Sequence, residues 1–216
     1  MPSPIHRRDV LRLIGGGAAA AAGLSMASPR IARAALGANE KVRVAVIGCG
    51  GMGTRHIEAL SINPNCTIAV VCDCFKPRYE NAMNVVEKLS GKRPDGYQDF
   101  RQALDRKDID CIFGPLPDHW HPLMTILACQ AGKDVYIEKP ASPTVAEGRA
   151  MVKAARRYGR VVQLGTQQRS SREFQRACEL VRGGRIGKLK QINVWAPASR
   201  PGGSTTPVPV PDSINY

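Results

Sequence analysis

Four glycines in six residues, Gly48, Gly50, Gly51 and Gly53, stand directly after the apolar run KVRVAVI. Glycine loses more conformational freedom on folding than other residues, so such a cluster marks backbone that must turn sharply or approach something closely. KVRVAVIG alternates and is rich in valine and isoleucine, as a strand is. MGTRHIEAL follows with Met52, Ile57 and Leu60 spaced to face a sheet from a helix. Between them, Gly48 to Gly53 has the G-x-G-x-x-G spacing. In such a turn Gly48 makes the tight bend, Gly50 admits a pyrophosphate, and Gly53 lets helix and strand pack closely. The amides of Gly51 and Met52, at the helix start, would face the anion.

A lone glycine pattern is a weak signal, and its context is what gives it weight. TIAVVCD reads as a second strand and ends in Asp73, twenty residues after Gly53. A carboxylate there accepts hydrogen bonds from the adenosine ribose hydroxyls. It repels a ribose phosphate, which favours NAD over NADP, although Lys76 and Arg78 lie close enough to pull the other way.

The alternation continues along the chain. DIDCIFG, KDVYIEKP and RVVQLGTQ read as strands; DHWHPLMTILACQAG and TVAEGRAMVKAARRYG read as helices. Strand–helix repeats with short connections predict an α/β fold, a Rossmann-like doubly wound and mostly parallel sheet. Ligands of such sheets gather at the carboxyl ends of the strands. The unusual residues fall there: 115–121, Glu138-Lys139-Pro140, and Gly165 through Arg169, with Gln167 and Gln168 between.

Charge and cysteine content narrow the class. The formal net charge is +13, but five arginines of residues 1–34 stand against Asp9 alone, and the remaining basic residues are scattered. Aromatics make up only 5% of the chain, too few for base-stacking platforms, so no nucleic-acid partner is expected. Seven cysteines at irregular spacing are not a disulfide framework. Cys72-Asp73-Cys74 is not completed to a ligand set, so no metal is expected and the thiols read as free and buried.

The first 34 residues have the build of an export signal: a basic start, a moderately apolar middle, and the small-x-small pattern Ala32-Arg33-Ala34. Arg7-Arg8 before Val10-Leu11 resembles a twin-arginine signal, which implies the twin-arginine export machinery as a partner and a periplasmic or otherwise exported location. The apolar middle is too short and glycine-rich to span a bilayer of about 30 Å.

Taken in order, VAVIGCGGMGTRHIEAL, PDHWHP, YIEKP and GTQQRSSREFQRACELVRGGRIGKLK resemble the successive signatures of the Gfo/Idh/MocA oxidoreductases. The resemblance runs from about Lys41 to Trp195. It implies an NAD(P)-binding Rossmann domain, here 40–166, followed by an α/β substrate domain with an open antiparallel sheet, of which 167–216 would be the truncated start. It also implies a sugar- or polyol-like substrate and a homo-oligomer at full length. Lys139 matches the lysine of the family's E-K-P, which lies beside nicotinamide and substrate and helps to move or orient a proton. Glu138 belongs to the same tripeptide, Pro117 and His121 match its P-x-x-x-H segment near the cofactor, and Arg169 matches an arginine after the sixth strand. Gln167 is a further candidate for contact with the cofactor. His119 carries no such match. Similar exported relatives hydrolyse glycosides through a transient oxidation, which keeps that chemistry open as an alternative. A cofactor-binding module without catalysis is the third reading.

In the family, an aspartate and a histidine on a helix of the second domain complete the active site. No histidine follows Arg169 here. KLKQINVWAP reads as the first strand of that second domain, followed by a proline-rich run. The expectation is therefore an amino-terminal portion that binds cofactor and does not turn over substrate by itself.

Overall fold

The structure, a computed structural model, describes residues 41–195 and 209–215. The expected signal segment, 1–34, lies outside them. Six strands, β1 (Val42–Ile47), β2 (Cys66–Cys72), β3 (Asp95–Tyr97), β4 (Cys111–Gly114), β5 (Asp134–Glu138) and β6 (Val162–Gly165), form one parallel sheet in the order β3-β2-β1-β4-β5-β6. The order reverses direction between β1 and β4, so the carboxyl ends of those two strands mark a topological switch point. Open α/β sheets hold their ligands at such a point.

Helices cover both faces, as the sequence of β1 requires. Val44 and Val46 point to one face and pack with Ile57 of α1 (Gly51–Ser61) and Val86 of α2 (Lys76–Ser90). Ala45 and Ile47 point to the other, joining Leu104 of α3 (Phe100–Asp105), Met124 and Ala128 of α4 (His121–Gln130), and Met151 of α5 (Val145–Tyr158). A strand with both faces buried reads as a near-continuous apolar run, and β1 and β2 do. Met52 departs from the expected helix face: it is 40% exposed, and Ile57 alone of the three is fully buried.

Local signals set the helix ends. Thr144 and Glu147 form a reciprocal capping box that starts α5, and Gly159 ends it in the left-handed region at φ 59°. Gly91 closes α2 the same way, at φ 72°. Pro77 and Pro122 stand in the first turns of α2 and α4, where a missing N–H loses nothing.

Beyond β6 the pattern changes. Helix α6 (Arg172–Arg182) buries none of its residues, and Phe174, Ile186, Leu189, Ile192 and Trp195 are exposed. Residues 188–195 form no strand, contrary to the expectation for KLKQINVWAP. A strand is held by a ladder to a neighbour, and among the described residues none lies beside this one. The cysteines also divide: Cys49, Cys72 and Cys129 are buried free thiols, whereas Cys74 and Cys178 are exposed.

Candidate functional site: a dinucleotide turn and a buried carboxylate beneath Lys139

The glycine turn leaves β1 at Gly48, whose φ of +101° favours glycine and whose position allows nothing else. A Cβ there would stand 2.6 Å from the Pro115 carbonyl oxygen. At Gly53 it would stand 2.0 Å from the Gly48 carbonyl oxygen, so the first turn of α1 lies directly on the bend. Gly50 and Gly51 differ in kind. A Cβ on either meets no atom of the protein within 4 Å. Gly50 caps α1 without a side-chain hydrogen bond, so the first amides of the helix are left for an outside acceptor. Open space in front of unpartnered amides at a helix start fits a pyrophosphate.

Asp73 follows β2 and is 7% exposed. Its Oδ2 accepts from the Cys49 backbone N–H at 2.8 Å, and its Oδ1 from the Phe75 N–H at 2.9 Å. The acid therefore braces the glycine turn from inside, a task its position in sequence did not suggest, and keeps lone pairs for a further donor. Burial, with the Asp73 charge second, pushes the Cys49 thiol up to about 12. It is a packing group and not a nucleophile.

At the end of β5, Glu138 is buried at 4% exposure. Its Oε1 accepts from His56 Nε2 at 2.7 Å and from Gln167 Nε2, and its Oε2 from the Lys139 N–H at 3.2 Å. His56 comes from α1, its ring set edge-on against Tyr136 and Phe113, which stack on each other at 4.7 Å. Burial, then the Glu138 charge, raises the Tyr136 hydroxyl above its usual value, and a hydrogen bond with Gln167 works against that rise. Register explains Gly165: it pairs with Glu138, and a Cβ on it would stand 2.8 Å from the Tyr136 oxygen. Lys139, the next residue, is exposed.

Several expected contacts are thereby revised. His121 is fully buried, with Nδ1 2.5 Å from the Pro140 carbonyl oxygen and Nε2 2.9 Å from that of Leu116. It ties the loop after β4 to the loop after β5 and presents no atom to a cofactor. Glu138 is buried and takes a hydrogen bond from Gln167, so it supports the site from within the protein, whereas Gln167 itself is exposed beside it. Pro117 is exposed and opens the short 3-10 turn Asp118–Trp120 after β4. Arg169 is exposed after β6 and lines a cleft with Tyr136, Leu164, Thr166 and Gln167. His56, Tyr136 and Phe113 were not anticipated. His56 stood in the quoted MGTRHIEAL, but nothing local linked it to an acid 82 residues away. Among the described residues no group of three or more His, Cys, Asp or Glu side chains is placed to hold a metal ion. No helix among them is long and apolar enough to cross a membrane.

Comparison with known proteins agrees with this fold. Residues 42–166 match the family model described as "Oxidoreductase family, NAD-binding Rossmann fold". The chain belongs to the Gfo/Idh/MocA oxidoreductase family. Its NAD-binding domain is the sheet just described. Among curated relatives, "Glycosyl hydrolase family 109 protein 1" of Shewanella sp. (strain ANA-3) is 28% identical over 206 residues, 86% of this chain and 44% of the relative. The chain thus spans less than half the length of that relative. Among solved structures, myo-inositol 2-dehydrogenase from Lactobacillus plantarum matches with a TM-score of 0.62 and 30% identity, over 69% of this chain and 43% of that one. The WlbA dehydrogenase from Bordetella pertussis, solved in complex with NADH and UDP-GlcNAcA, matches with a TM-score of 0.59 and 26% identity, over 68% and 44%.

Proposed function

We propose that the protein to which these residues belong is an exported, NAD-dependent oxidoreductase acting on a hydroxyl of a sugar, polyol or related carbohydrate. The observation that carries this reading is the contrast at the end of β5. Glu138 is buried and bonded by three donors, while the adjacent Lys139 is exposed on the same sheet edge as the glycine turn. An amine mounted on so constrained a base can orient a reacting hydroxyl by hydrogen bonding and, in its neutral form, take up the proton that the hydroxyl loses on oxidation. NAD, when bound, supplies the hydride acceptor. The Gly51 and Met52 amides would hold its pyrophosphate over the open space at Gly50, and Asp73 would take the ribose hydroxyls. Lys139 Nζ would hold the substrate hydroxyl and, as the neutral amine, accept its proton while hydride goes to NAD.

The names of the relatives support a carbohydrate-like substrate: one is a myo-inositol dehydrogenase, and another was solved with a nucleotide sugar. A second reading, NAD-dependent glycoside hydrolysis, is favoured by the name of the Shewanella relative. The two part on stoichiometry. Incubating the whole protein with NAD and a panel of polyols and aryl glycosides, NADH accumulating with substrate supports the oxidoreductase. Release of the glycosidic substituent with no net NADH replaces it with the hydrolase. Neither product from any member of the panel overturns the catalytic reading.

Export rests on residues 1–34. Arg7→Lys with Arg8→Lys is expected to hold the precursor in the cytoplasm, and wild-type export of that double variant overturns the assignment.

A further inference from the structure

Residues 209–215 return to the sheet beside the end of β2. Ile214 forms an antiparallel bridge with Phe75. Lys76 N donates to the Ser213 carbonyl at 3.0 Å, and Asn215 N donates to the Cys74 carbonyl at 3.0 Å. Gln98, in the loop after β3, secures the junction: its Nε2 donates to the Ser213 and Cys74 carbonyls, each at 3.1 Å.

The loop held in this way is the one that leaves β2 at Asp73. Phe75, bridged on one side by Ile214, donates its own N–H to Asp73 Oδ1, while Asp73 Oδ2 takes the Cys49 N–H of the glycine turn. A continuous series of backbone and carboxylate contacts therefore links Ile214, Phe75, Asp73 and Cys49. The loop leads directly into the first turn of α2, which carries Lys76 and Arg78. Lys76 has its backbone fixed by Ser213, and Arg78 stacks on the Phe75 ring at 5.8 Å.

We propose that residues 213–215 are a strap that aims Asp73 and holds Lys76 and Arg78 in place, and so sets both the affinity for the adenosine half of the cofactor and the preference for NAD over NADP. Ser213, Ile214, Asn215 and Gln98 are positioning residues for that site. The inference rests on the NAD-binding reading of the glycine turn. The physical ground is that the carboxylate repels a ribose phosphate from any direction but bonds a ribose hydroxyl well only when its direction is fixed, so loosening it weakens NAD binding more than NADP binding. Here one of its two fixed donors, Phe75 N–H, sits on backbone paired with the strap. Without the strap the loop keeps its sequence, but Cys74 and Lys76 lose those backbone partners and the cations gain freedom to meet a 2′-phosphate.

Two variants test it by different means. Asn215→Pro removes the N–H that reaches Cys74, and Gln98→Leu removes both side-chain bonds while leaving the strap's backbone intact. Binding of NAD, NADP and ADP-ribose is measured by calorimetry, with Gly50→Val as the control that blocks the pyrophosphate place, and thermal unfolding follows the fold. NAD and ADP-ribose affinities are expected to fall about tenfold in both variants, as for the loss of one or two net hydrogen bonds. NADP affinity falls less, so the preference for NAD shrinks. Unchanged NAD and ADP-ribose binding in both variants overturns the strap, and so does an equal loss for NAD and NADP, which marks general loosening. Wild-type protein that binds ADP-ribose no better than Gly50→Val overturns the cofactor reading itself.

Discussion

His56 Nε2 and Glu138 Oε1 lie 2.7 Å apart and join the helix after the glycine turn to β5, which ends at Glu138 just before Lys139. The contact is shielded, with side-chain exposures of 15% and 5%. Removing the acid strands the His56, Gln167 and Lys139 donors that converge on it. Glu138→Ala is expected to destabilise the fold by about 1–3 kcal/mol, the range for buried polar groups left unpaired. His56→Ala is expected to cost less, because the carboxylate keeps two donors. Urea unfolding of both single variants and the double variant checks this; a coupling energy below about 0.5 kcal/mol denies that the two act as a pair.

Gly50 and Gly53 separate cofactor binding from folding. Gly50→Val is expected to keep its unfolding temperature and lose NAD, since its side chain enters space that the protein itself leaves empty. Gly53→Ala is expected to lose stability by at least the overpacking range of about 1–3 kcal/mol, its Cβ falling 2.0 Å from the Gly48 carbonyl oxygen. Calorimetric titration and thermal melts of the two variants give opposite patterns if the turn is a ligand cradle. Matching patterns make it only a tight bend.

Lys139 is exposed, and the substitution Lys139→Ala removes none of the groups assigned to hold the pyrophosphate. In the active protein it is expected to leave NAD affinity within a few-fold and to lower turnover by roughly 10²- to 10⁴-fold, as for a lost acid–base group. Steady-state kinetics beside NAD titration decide it. Turnover within a few-fold of wild type removes Lys139 from the chemistry.

Acid sensitivity is expected at Asp108, away from the site. Arg106 donates hydrogen bonds to it, and these, with Arg43 adding its own, hold its carboxyl well below the ordinary value of 3.8 against the opposing effect of burial. A carboxyl depressed in the folded state stabilises the fold above its unfolded value and loses that contribution as pH falls through the folded one. Asp108→Asn should therefore lower Tm at pH 7, with the difference from wild type narrowing as pH drops below 3.8. The side chain is 42% exposed, so solvent screens the effect and the shift is small. A gap between the melting curves that widens toward low pH contradicts the assignment.

How much was legible in sequence follows from how local each determinant is. The strand–glycine–helix unit at 42–61 needs only its own residues: alternation for β1, left-handed backbone at Gly48, and an apolar helix stripe. The parallel sheet follows from repeating that unit, because short connections carrying helices allow few other arrangements. Asp73 could be placed at the end of β2 from its spacing to the glycines, which is set by one helix and one strand. What lay out of reach were pairings across long stretches of chain. His56 meets Glu138 because β4 and β5 lie side by side beyond the β1 switch point and bring the end of β5 near α1. His121 reads in sequence as a ligand, and tertiary packing makes it a bridge between two carbonyls. KLKQINVWAP has the composition of a strand, yet a strand exists only through a neighbour, and its own residues cannot supply one. The sequence by itself determined the elements and the glycine turn, through propensity and periodicity that act over a few residues. The tertiary structure alone decided which polar groups are buried together, because burial and hydrogen-bond partnership belong to the packed chain.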